Sequence, residues 1–466
     1  TADGDILIEA GGDIGQTALV SSTAGDIGLV AGSHITQSAA GDVTTTSGDV
    51  LVQATSGSWT MSGDATIQAG GSDVLGLAGA HIELGVIRMT NVTANRVAFE
   101  AGGSITDANG SSINVEETTA TAATSLSLRA GTIIGGAGST TSAANDSALD
   151  LDVDTVAASS ATGIYLREIT AGGAIEVDTA SSVTIDIDGV VRSDFDSGTT
   201  DVSEDRSLAS LADLRTSADG PLTLVAAAGS ITSEGGGNAD GVSADGTGDV
   251  LLEARGGSSD VIVNATVQSG SGNITLDADR HVDVNAAVTV ASGGGTIYSL
   301  SGEDTDIDGA VSTADGDILI EAGGDIGQTA LVSSTAGDIG LVAGSHITQS
   351  AAGDVTTTSG DVLVQATSGS WTMAGDATIQ AGGSDVLGLA GANIELGVIR
   401  MTNVTANRVA LEAGGSITDA NGSSINVEET TATAATSLSL RAGTIIGGAG
   451  GTTSWTNDSA LDLDVD

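Results

Sequence analysis

The sequence predicts an all-β fold, a right-handed parallel β-helix (β-solenoid) whose coils have about 21–24 residues and three short strands each. Three observations predict it. A short apolar pattern recurs along nearly the whole chain, a long segment occurs twice, and aromatic residues make up 2% of the chain. Because stacked thin coils enclose a narrow interior, small β-branched and aliphatic side chains can fill it.

The first strand of each predicted coil begins at an Asp or another small polar residue and continues as an alternating apolar run. Examples are Asp5–Ala10, Asp26–Ala31, Asp49–Ala54 and Asp73–Ala78, and Asp317 restarts the series. Alternation with period two directs alternate side chains to opposite faces of a strand. Successive starts lie mostly 21 to 24 residues apart, which sets the length of a coil.

Two shorter runs complete each predicted coil. The second run follows a Gly or small residue, as in Ser33–Thr36 and Gly103–Thr106, and the third is exemplified by Ala18–Ser21 and Thr66–Gln68. Glycine permits the backbone conformations that corners need. Stacking one coil on the next then pairs the backbone groups that a single coil leaves open.

A long duplication contains the short period. Residues 1–154 recur as 313–466, and the copies differ at six positions. The differences are Ser62/Ala374, His81/Asn393, Phe99/Leu411, Ser139/Gly451, Ala143/Trp455 and Ala144/Thr456. The sequence therefore predicts a first tandem repeat over 1–312 and the start of a second over 313–466, and we expect further copies to flank this piece.

Two stretches do not follow the coil pattern. Residues 189–220 are rich in Asp and Glu, and within them 207–214 has a pattern compatible with one or two helical turns, while 232–248 is rich in Gly and Asp. We expect both to be loops that leave the stack at corners, either as binding loops or as solvated spacers.

The charge balance excludes several partners. The net charge is −49, from 61 acidic residues against 12 Arg, with no Lys. Such a chain repels nucleic acid and anionic membranes, and divalent cations are its plausible small partners. Cys is absent, so no disulfide is expected, and no apolar run has the length of a membrane span.

One segment has the spacing of a calcium-binding loop. Asp304, Asp306 and Asp308 occupy its positions one, three and five, with Gly309 at six and Asp315 at twelve. The sequence therefore predicts a metal site formed by the four Asp residues. No cofactor is required by the rest of the sequence, and calcium is the candidate ion.

Alternating Asp is also what the solvent face of a strand looks like. The segment 148–154 has the same alternation without a following Gly. A solvated strand at 304–308 therefore stays open as the alternative, and so does diffuse binding of divalent cations by stacked Asp residues.

The residue types do not predict an enzyme. The four His residues are far apart in the sequence, and His81 is replaced by Asn393 in the second copy, which is unfavourable for a catalytic base. The carboxylates are too numerous for any pair to be specific. We expect Arg167, Arg255 and Arg280 to form surface salt bridges.

The coil pattern Asp-Ile-x-Leu-x-Ala-Gly-x-x-Ile resembles the β-helical shafts of filamentous-haemagglutinin-like giant exoproteins of Gram-negative bacteria. The resemblance covers nearly the whole chain except 189–220 and identifies an architecture. It implies an extracellular, cell-surface location, a long stalk, and adhesion or matrix building.

Two functions follow as expectations. In the first, the chain is a structural fibre whose partners are further copies of itself, joined end to end or side by side. In the second, it is an adhesin whose irregular loops bind a glycan or a cell-surface partner with the help of calcium.

Overall fold

The structure is a computed structural model that describes residues 3–119, 123–138, 145–170, 173–193, 199–236, 239–383, 385–404, 406–431, 435–448 and 459–465. Across these residues the regular structure consists of β-strands, without helices. No helix that could cross a lipid bilayer occurs in the described part of the chain. The chain divides into two compact bodies, an N-terminal body (Thr1–Gly248) and a C-terminal body (Asp249–Asp466).

The strands of the N-terminal body are β1 (Ile6–Ala10), β2 (Ile14–Gln16), β3 (Val20–Ser22), β4 (Ile27–Ala31), β5 (Ile35–Gln37), β6 (Val43–Thr45), β7 (Val50–Ala54), β8 (Trp59–Met61), β9 (Thr66–Ala69), β10 (Asp73–Ala78), β11 (Ile82–Leu84), β12 (Val86–Met89), β13 (Ala94–Ala101), β14 (Ile105–Asp107), β15 (Val115–Glu117), β16 (Ala123–Ala130), β17 (Ile133–Ile134), β18 (Leu149–Asp152), β19 (Thr155–Ser160), β20 (Gly163–Glu168), β21 (Ile175–Val177), β22 (Val183–Ser193), β23 (Thr199–Leu208), β24 (Leu214–Thr216), β25 (Leu222–Ala226), β26 (Ile231–Ser233) and β27 (Asp240–Ala244).

The strands of the C-terminal body are β28 (Val250–Ala254), β29 (Val261–Val263), β30 (Thr266–Ser269), β31 (Ile274–Ala278), β32 (Val282–Val284), β33 (Val288–Val290), β34 (Ile297–Ser301), β35 (Thr305–Ile307), β36 (Val311–Thr313), β37 (Ile318–Ala322), β38 (Ile326–Gln328), β39 (Val332–Ser334), β40 (Ile339–Ala343), β41 (Ile347–Gln349), β42 (Val355–Thr357), β43 (Val362–Ala366), β44 (Trp371–Met373), β45 (Thr378–Ala381), β46 (Asp385–Ala390), β47 (Ile394–Leu396), β48 (Val398–Met401), β49 (Ala406–Ala413), β50 (Ile417–Asp419), β51 (Val427–Glu429), β52 (Ala435–Ala442) and β53 (Leu463–Asp464).

Each regular coil has one long strand and two short ones, and each strand pairs in parallel with the equivalent strand of the next coil. In the N-terminal body β1 pairs with β4, β4 with β7, and β7 with β10. In the C-terminal body β37, β40, β43 and β46 pair in the same order. Equivalent residues are 21, 23 or 24 positions apart. The parallel β-helix predicted from the sequence is confirmed, with its coil length and three strands per coil.

Period-two alternation places the apolar residues as the sequence predicts. In β37, Ile318 and Ile320 are buried and Leu319 between them is exposed. Ile8, the counterpart of Ile320 in the first copy, keeps 37% of its surface exposed, because β1 has a pairing strand on one side, β4. A neighbouring coil on each side is therefore needed to bury the inward side chains fully.

A buried aromatic layer shows how tightly the interior is filled. The Trp59 and Phe99 rings meet edge to face with their centroids 5.8 Å apart. Gly76 lies between them, where a Cβ atom would be 2.4 Å from Trp59 Cζ3 and 2.6 Å from Phe99 Cδ1. Trp59 Nε1 donates to Gln37 Oε1 at 2.7 Å, so its one polar atom is satisfied. Glycine is required at this position because its neighbours occupy the space of a side chain.

The coils become longer and change phase in the later part of the N-terminal body. Contacts between equivalent residues span 29 and then 30 positions, at Asn95–Thr124 and Thr124–Asp154. Strand β20 pairs with β17 at its beginning, with β18 at its end, and with the long strand β25 on its other side. The sheet that contains the short strands β17 and β18 therefore continues through β20 into the long strand β25.

The stretch 189–220 is not an irregular loop. Residues 189–193 and 199–208 belong to an antiparallel hairpin of β22 and β23, which is a sheet of its own, and 214–216 is the coil strand β24. The helical turns expected at 207–214 do not form, because Leu208 ends β23 and Leu211 bridges back to Ala180. Residues 232–248 likewise include part of β26 and all of β27.

The hairpin lies flat on the N-terminal body. Val183, Ile185, Ile187 and Leu208 form a buried cluster with outward-facing side chains of the long strands, namely Leu51, Leu75 and Ala98, and Leu7 packs against it. We call Leu7, Gly28, Leu51, Leu75 and Ala98 the outer face of the N-terminal body. The hairpin therefore covers an apolar surface that the coils alone would expose to water.

Candidate functional site

The residues of the predicted calcium site follow one corner of the C-terminal body. Asp306 lies outward on β35, Asp304 and Asp308 flank that strand, and Asp315 follows β36 in a turn. Burial, with the negative charges of Asp308 and Asp304, raises the pKa of Asp306. The carboxylate oxygens of these four Asp residues do not all lie within 4.8 Å of one another. In the described residues, one other group of acidic side chains meets that distance. The calcium site therefore stays a prediction.

Asp304 has a partner within the fold. Its Oδ1 accepts the backbone N–H of Asp325, one coil further on, at 2.8 Å. Its own N–H donates to His281 Nδ1 in the preceding coil at 3.2 Å. Asp304 is thus one step of a column of side chains, which we call the corner ladder, located immediately before the second strand of each coil.

The corner ladder contains all four His residues of the chain. Its members in the N-terminal body are Asp13, His34, Ser58, His81 and Ser104. Its members in the C-terminal body are Asp260, His281, Asp304, Asp325, His346, Ser370, Asn393 and Ser416. At each step the side chain of one coil accepts the backbone N–H of the next coil, so the ladder joins successive coils.

The ladder explains the His81/Asn393 difference between the copies. His81 Nδ1 accepts the N–H of Ser104 at 3.0 Å, and Asn393 Oδ1 accepts the N–H of Ser416 at 2.8 Å. The two side chains present an acceptor at the same place. An Nδ1 that accepts a hydrogen bond belongs to the neutral imidazole with its proton on Nε2.

A second column, the strand-start ladder, lies at the beginning of the long strands. In the N-terminal body it consists of Asp5, Asp26, Asp49 and Asp73, and each Oδ1 accepts the N–H of the next Asp at 2.7–2.9 Å. In the C-terminal body it consists of Asp317, Asp338, Asp361 and Asp385, with all three distances 2.8 Å. The stacked carboxylates are therefore hydrogen-bonded to backbone amides.

Burial disfavours the ionised form of the carboxyls in this ladder. The last Asp of the ladder pairs with an Arg. Burial, with the charges of the neighbouring Asp residues, raises the pKa of Asp49 to about 6. Arg96 donates from Nε and Nη2 to the two oxygens of Asp73, both at 2.6 Å. Arg408 pairs with Asp385 in the same way. A divalent cation is thus not the only way in which such stacked carboxylates are stabilised.

Arg167 does not form the surface salt bridge expected from the sequence. Its Nε and Nη2 donate to the two oxygens of Asp150, both at 2.7 Å, and the pair is buried. Glu168 is also buried, and its two oxygens accept the N–H groups of Thr170 and Val153 at 2.9 and 3.1 Å. Burial raises the pKa of Glu168 to about 7. These charges lie where the coils change phase.

The other two arginines lie at the surface, as expected. Arg255 pairs with Glu253, Asp277 and Asp279, and its side chain is 36% exposed. Arg280 pairs with Asp260 and is similarly exposed.

Three exposed carboxylates converge on the outer side of the hairpin, and one of them, Asp205, lies in the stretch 189–220 that was expected to be a binding loop or a solvated spacer. Asp186, Asp188 and Asp205 each offer an oxygen, and these oxygens lie within 4.8 Å of one another. A hydrogen bond shared with Asp205, together with the nearby negative charges, raises the pKa of Asp186 to about 6. The alternation of Asp186 and Asp188 was the available signal, but pairing with Asp205 required the hairpin register.

Among the described residues, none covers the second copy of the apolar outer face. Leu319, Gly340, Leu363, Leu387 and Ala410 form the outer face of the C-terminal body and are the same residues as in the first copy. Leu387 is 40% exposed, whereas its counterpart Leu75 is fully buried. A groove of about 430 Å³ runs along this face, with the strand-start ladder among its lining residues. The two copies thus differ in what covers them.

Comparison with known protein families, curated proteins and solved structures finds no match to this chain.

Proposed function

We propose that the chain is part of an extracellular structural fibre, in which tandem β-helical repeats add length. The observation that carries the proposal is that the polar side chains of the two ladders bind the backbone of the neighbouring coil. The His residues and the Asp columns, which are the residues a catalytic site would draw on, join one coil to the next through backbone N–H groups.

The duplication supports the same conclusion. Both copies contain the strand-start ladder with hydrogen bonds of 2.7–2.9 Å, and both end it with an Arg–Asp pair. Because each coil contacts its neighbours through the same kinds of bonds, stability accumulates coil by coil and further repeats can be added without a new core. The resemblance to giant exoprotein shafts supports the extracellular location.

A calcium-dependent adhesin is the alternative, and one observation favours it. The exposed cluster of Asp186, Asp188 and Asp205 lies on the outer side of the hairpin, where a ligand could reach it. Against this, the same hairpin buries Val183, Ile185 and Ile187 on the coils, so it already has a structural role.

Small-angle scattering tests the fibre proposal directly. With coils of ~22 residues at a spacing of ~4.8 Å, the proposal predicts that 466 residues form a rod about 100 Å long. Its radius of gyration would be about 30 Å, against about 23 Å for a globular domain of this size. A scattering curve of the globular kind would refute the proposal.

Electron microscopy with and without a calcium chelator separates the two functions. For a self-supporting fibre we expect filaments with a layer spacing of ~4.8 Å that persist after chelation. Filaments that persist while attachment to a glycan surface is lost on chelation would favour the adhesin. Replacement of Asp186 and Asp205 by Asn should then abolish attachment as well.

A further inference from the structure

The chain contains two copies of one apolar face and one copy of the hairpin that covers it. The residues of the two outer faces are identical, since none of the six differences between the copies falls on them. The hairpin sequence, Val183–Leu208, lies outside the duplicated segments. The same surface is therefore covered in the N-terminal body, whereas in the C-terminal body no part of the chain that the structure describes covers it.

The cover changes the exposure of the shared residues. Leu51 and Leu75 are fully buried beneath the hairpin, while Leu363 is partly buried and Leu387 is 40% exposed. Asp73, at the edge of the covered face, has a 2% exposed side chain, and its counterpart Asp385 a 35% exposed one. Apolar surface left open to water favours association with a complementary surface.

The fit between face and hairpin is specific. The Cδ1 atom of Ile187 lies 2.4 Å from where a Cβ atom at Gly28 would be, so the side chain fills the space left by that glycine. Arg206 Nε donates to Gln53 Oε1 at 2.6 Å and adds a polar contact beside the apolar one. The C-terminal body has the counterparts of these two contact residues, Gly340 for Gly28 and Gln365 for Gln53.

Charge argues against two open faces packing on each other. The groove of the C-terminal body is lined by Asp317, Asp338, Asp361 and Asp385. Two such faces would bring eight carboxylates together in a chain whose net charge is already −49. The hairpin instead brings apolar side chains to this surface, and its Arg206, which pairs with Glu204, donates to Gln53 there.

We propose that the outer face of the C-terminal body is a docking site for a second hairpin of the sequence Val183–Leu208, carried by another copy of the tandem repeat. The docked hairpin covers Leu319, Leu363 and Leu387 and places an isoleucine against Gly340. The proposal does not depend on the fibre function, because it concerns the outer face of the C-terminal body and the hairpin that fits it.

The test uses the whole chain and a synthetic peptide of residues 180–211, whose ends are adjacent because Ala180 and Leu211 form an antiparallel bridge. A fluorescent form of the peptide is titrated with the chain, and hydroxyl-radical labelling reads the exposure of individual side chains. We expect one peptide to bind per chain. Labelling of Leu387 should then fall towards that of Leu75.

Matched variants locate the binding site. The chain variant Leu363→Asp/Leu387→Asp should lose peptide binding, while Leu331→Asp, at another exposed leucine of the same body (41% exposed), should keep it. A peptide with Ile185→Asp and Ile187→Asp should not bind. Circular dichroism and scattering of each chain variant confirm that the fold is retained.

Three results would overturn the proposal. The first is the absence of saturable binding to the folded chain. The second is binding that the Leu363→Asp/Leu387→Asp variant retains. The third is a dimer of the chain in which Leu387 is protected without peptide, since that would make the face an interface between copies.

Discussion

Replacing Arg167 with Ala should destabilise the N-terminal body more than removal of any exposed arginine. Arg167 contacts both oxygens of Asp150 at 2.7 Å, and the two residues are 6% and 0% exposed. Removing one partner of a buried pair leaves the other charge in the interior and typically costs about 3–5 kcal/mol. Because coils contact their neighbours only, we expect the loss to concentrate in β18–β20.

The effect should depend on pH, with a sign that follows from Asp150. Burial outweighs Arg167 and raises the pKa of Asp150 to about 6, from an ordinary value of 3.8. Without Arg167 that pKa rises further. When the pKa of a carboxyl is higher in the folded state than in the unfolded state, its protonation stabilises the fold. That contribution is complete below the pKa of the unfolded state and is lost as the pH rises through the pKa of the folded state. The variant should therefore be weakest at pH 7.5 and partly restored at pH 5.

Hydrogen exchange measured by mass spectrometry over residues 145–170 reads the local opening free energy. The control is Arg408→Ala, which removes the same two-oxygen contact to Asp385 where the Arg408 side chain is 69% exposed. There water replaces the guanidinium, and we expect no resolvable change in exchange around β46. Equal effects of the two substitutions, or an Arg167→Ala effect that is the same at both pH values, would refute the reasoning.

Three further outcomes are expected from thermal unfolding of the whole chain. Burial raises the pKa of Asp49 to about 6 and of Glu168 to about 7, so the midpoint should rise as the pH falls from 7.5 to 5, and a fall would contradict this sign. Gly388→Ala should cost about 1–3 kcal/mol, because its Cβ would lie 2.4 Å from a buried ring, whereas Gly294→Ala, with no atom within 4 Å, should be neutral. His346→Asn should keep the midpoint and His346→Ala lower it, since only Asn retains the acceptor.

The coil architecture could be predicted from the sequence because its signals are local. The alternation in Asp49–Ala54 and the spacing to the next start at Asp73 are both visible within one coil length. The ladders were within reach as well, since Asp13, His34 and His81 each precede an Ile at the same place in the coil. Their role depends on which residue of the next coil lies opposite, and that requires the register of the stacked strands.

The hairpin could not be predicted in the same way, because its contacts are distant in sequence. Ile187 packs near Leu51 and Leu75, more than a hundred positions away. A signal was nevertheless present. The long strands carry Leu at outward positions, and residues 183–188 alternate as a strand with one apolar side. Apolar residues on both faces of a strand indicate that both faces are covered.

The two ladders give each body a direction. At every step the later coil donates its N–H and the earlier coil accepts with a side chain, as between Asp26 and Asp5 and between Asp325 and Asp304. Each step needs the acceptor side chain of one coil and the N–H of the following coil, so a coil stacked in the opposite direction would not fit the pattern. In both bodies the strand-start ladder ends at an Arg–Asp pair, Arg96–Asp73 and Arg408–Asp385. An assembly that extended the ladders from one copy to the next would therefore be head to tail, heterologous and open-ended, without a two-fold axis across the joint.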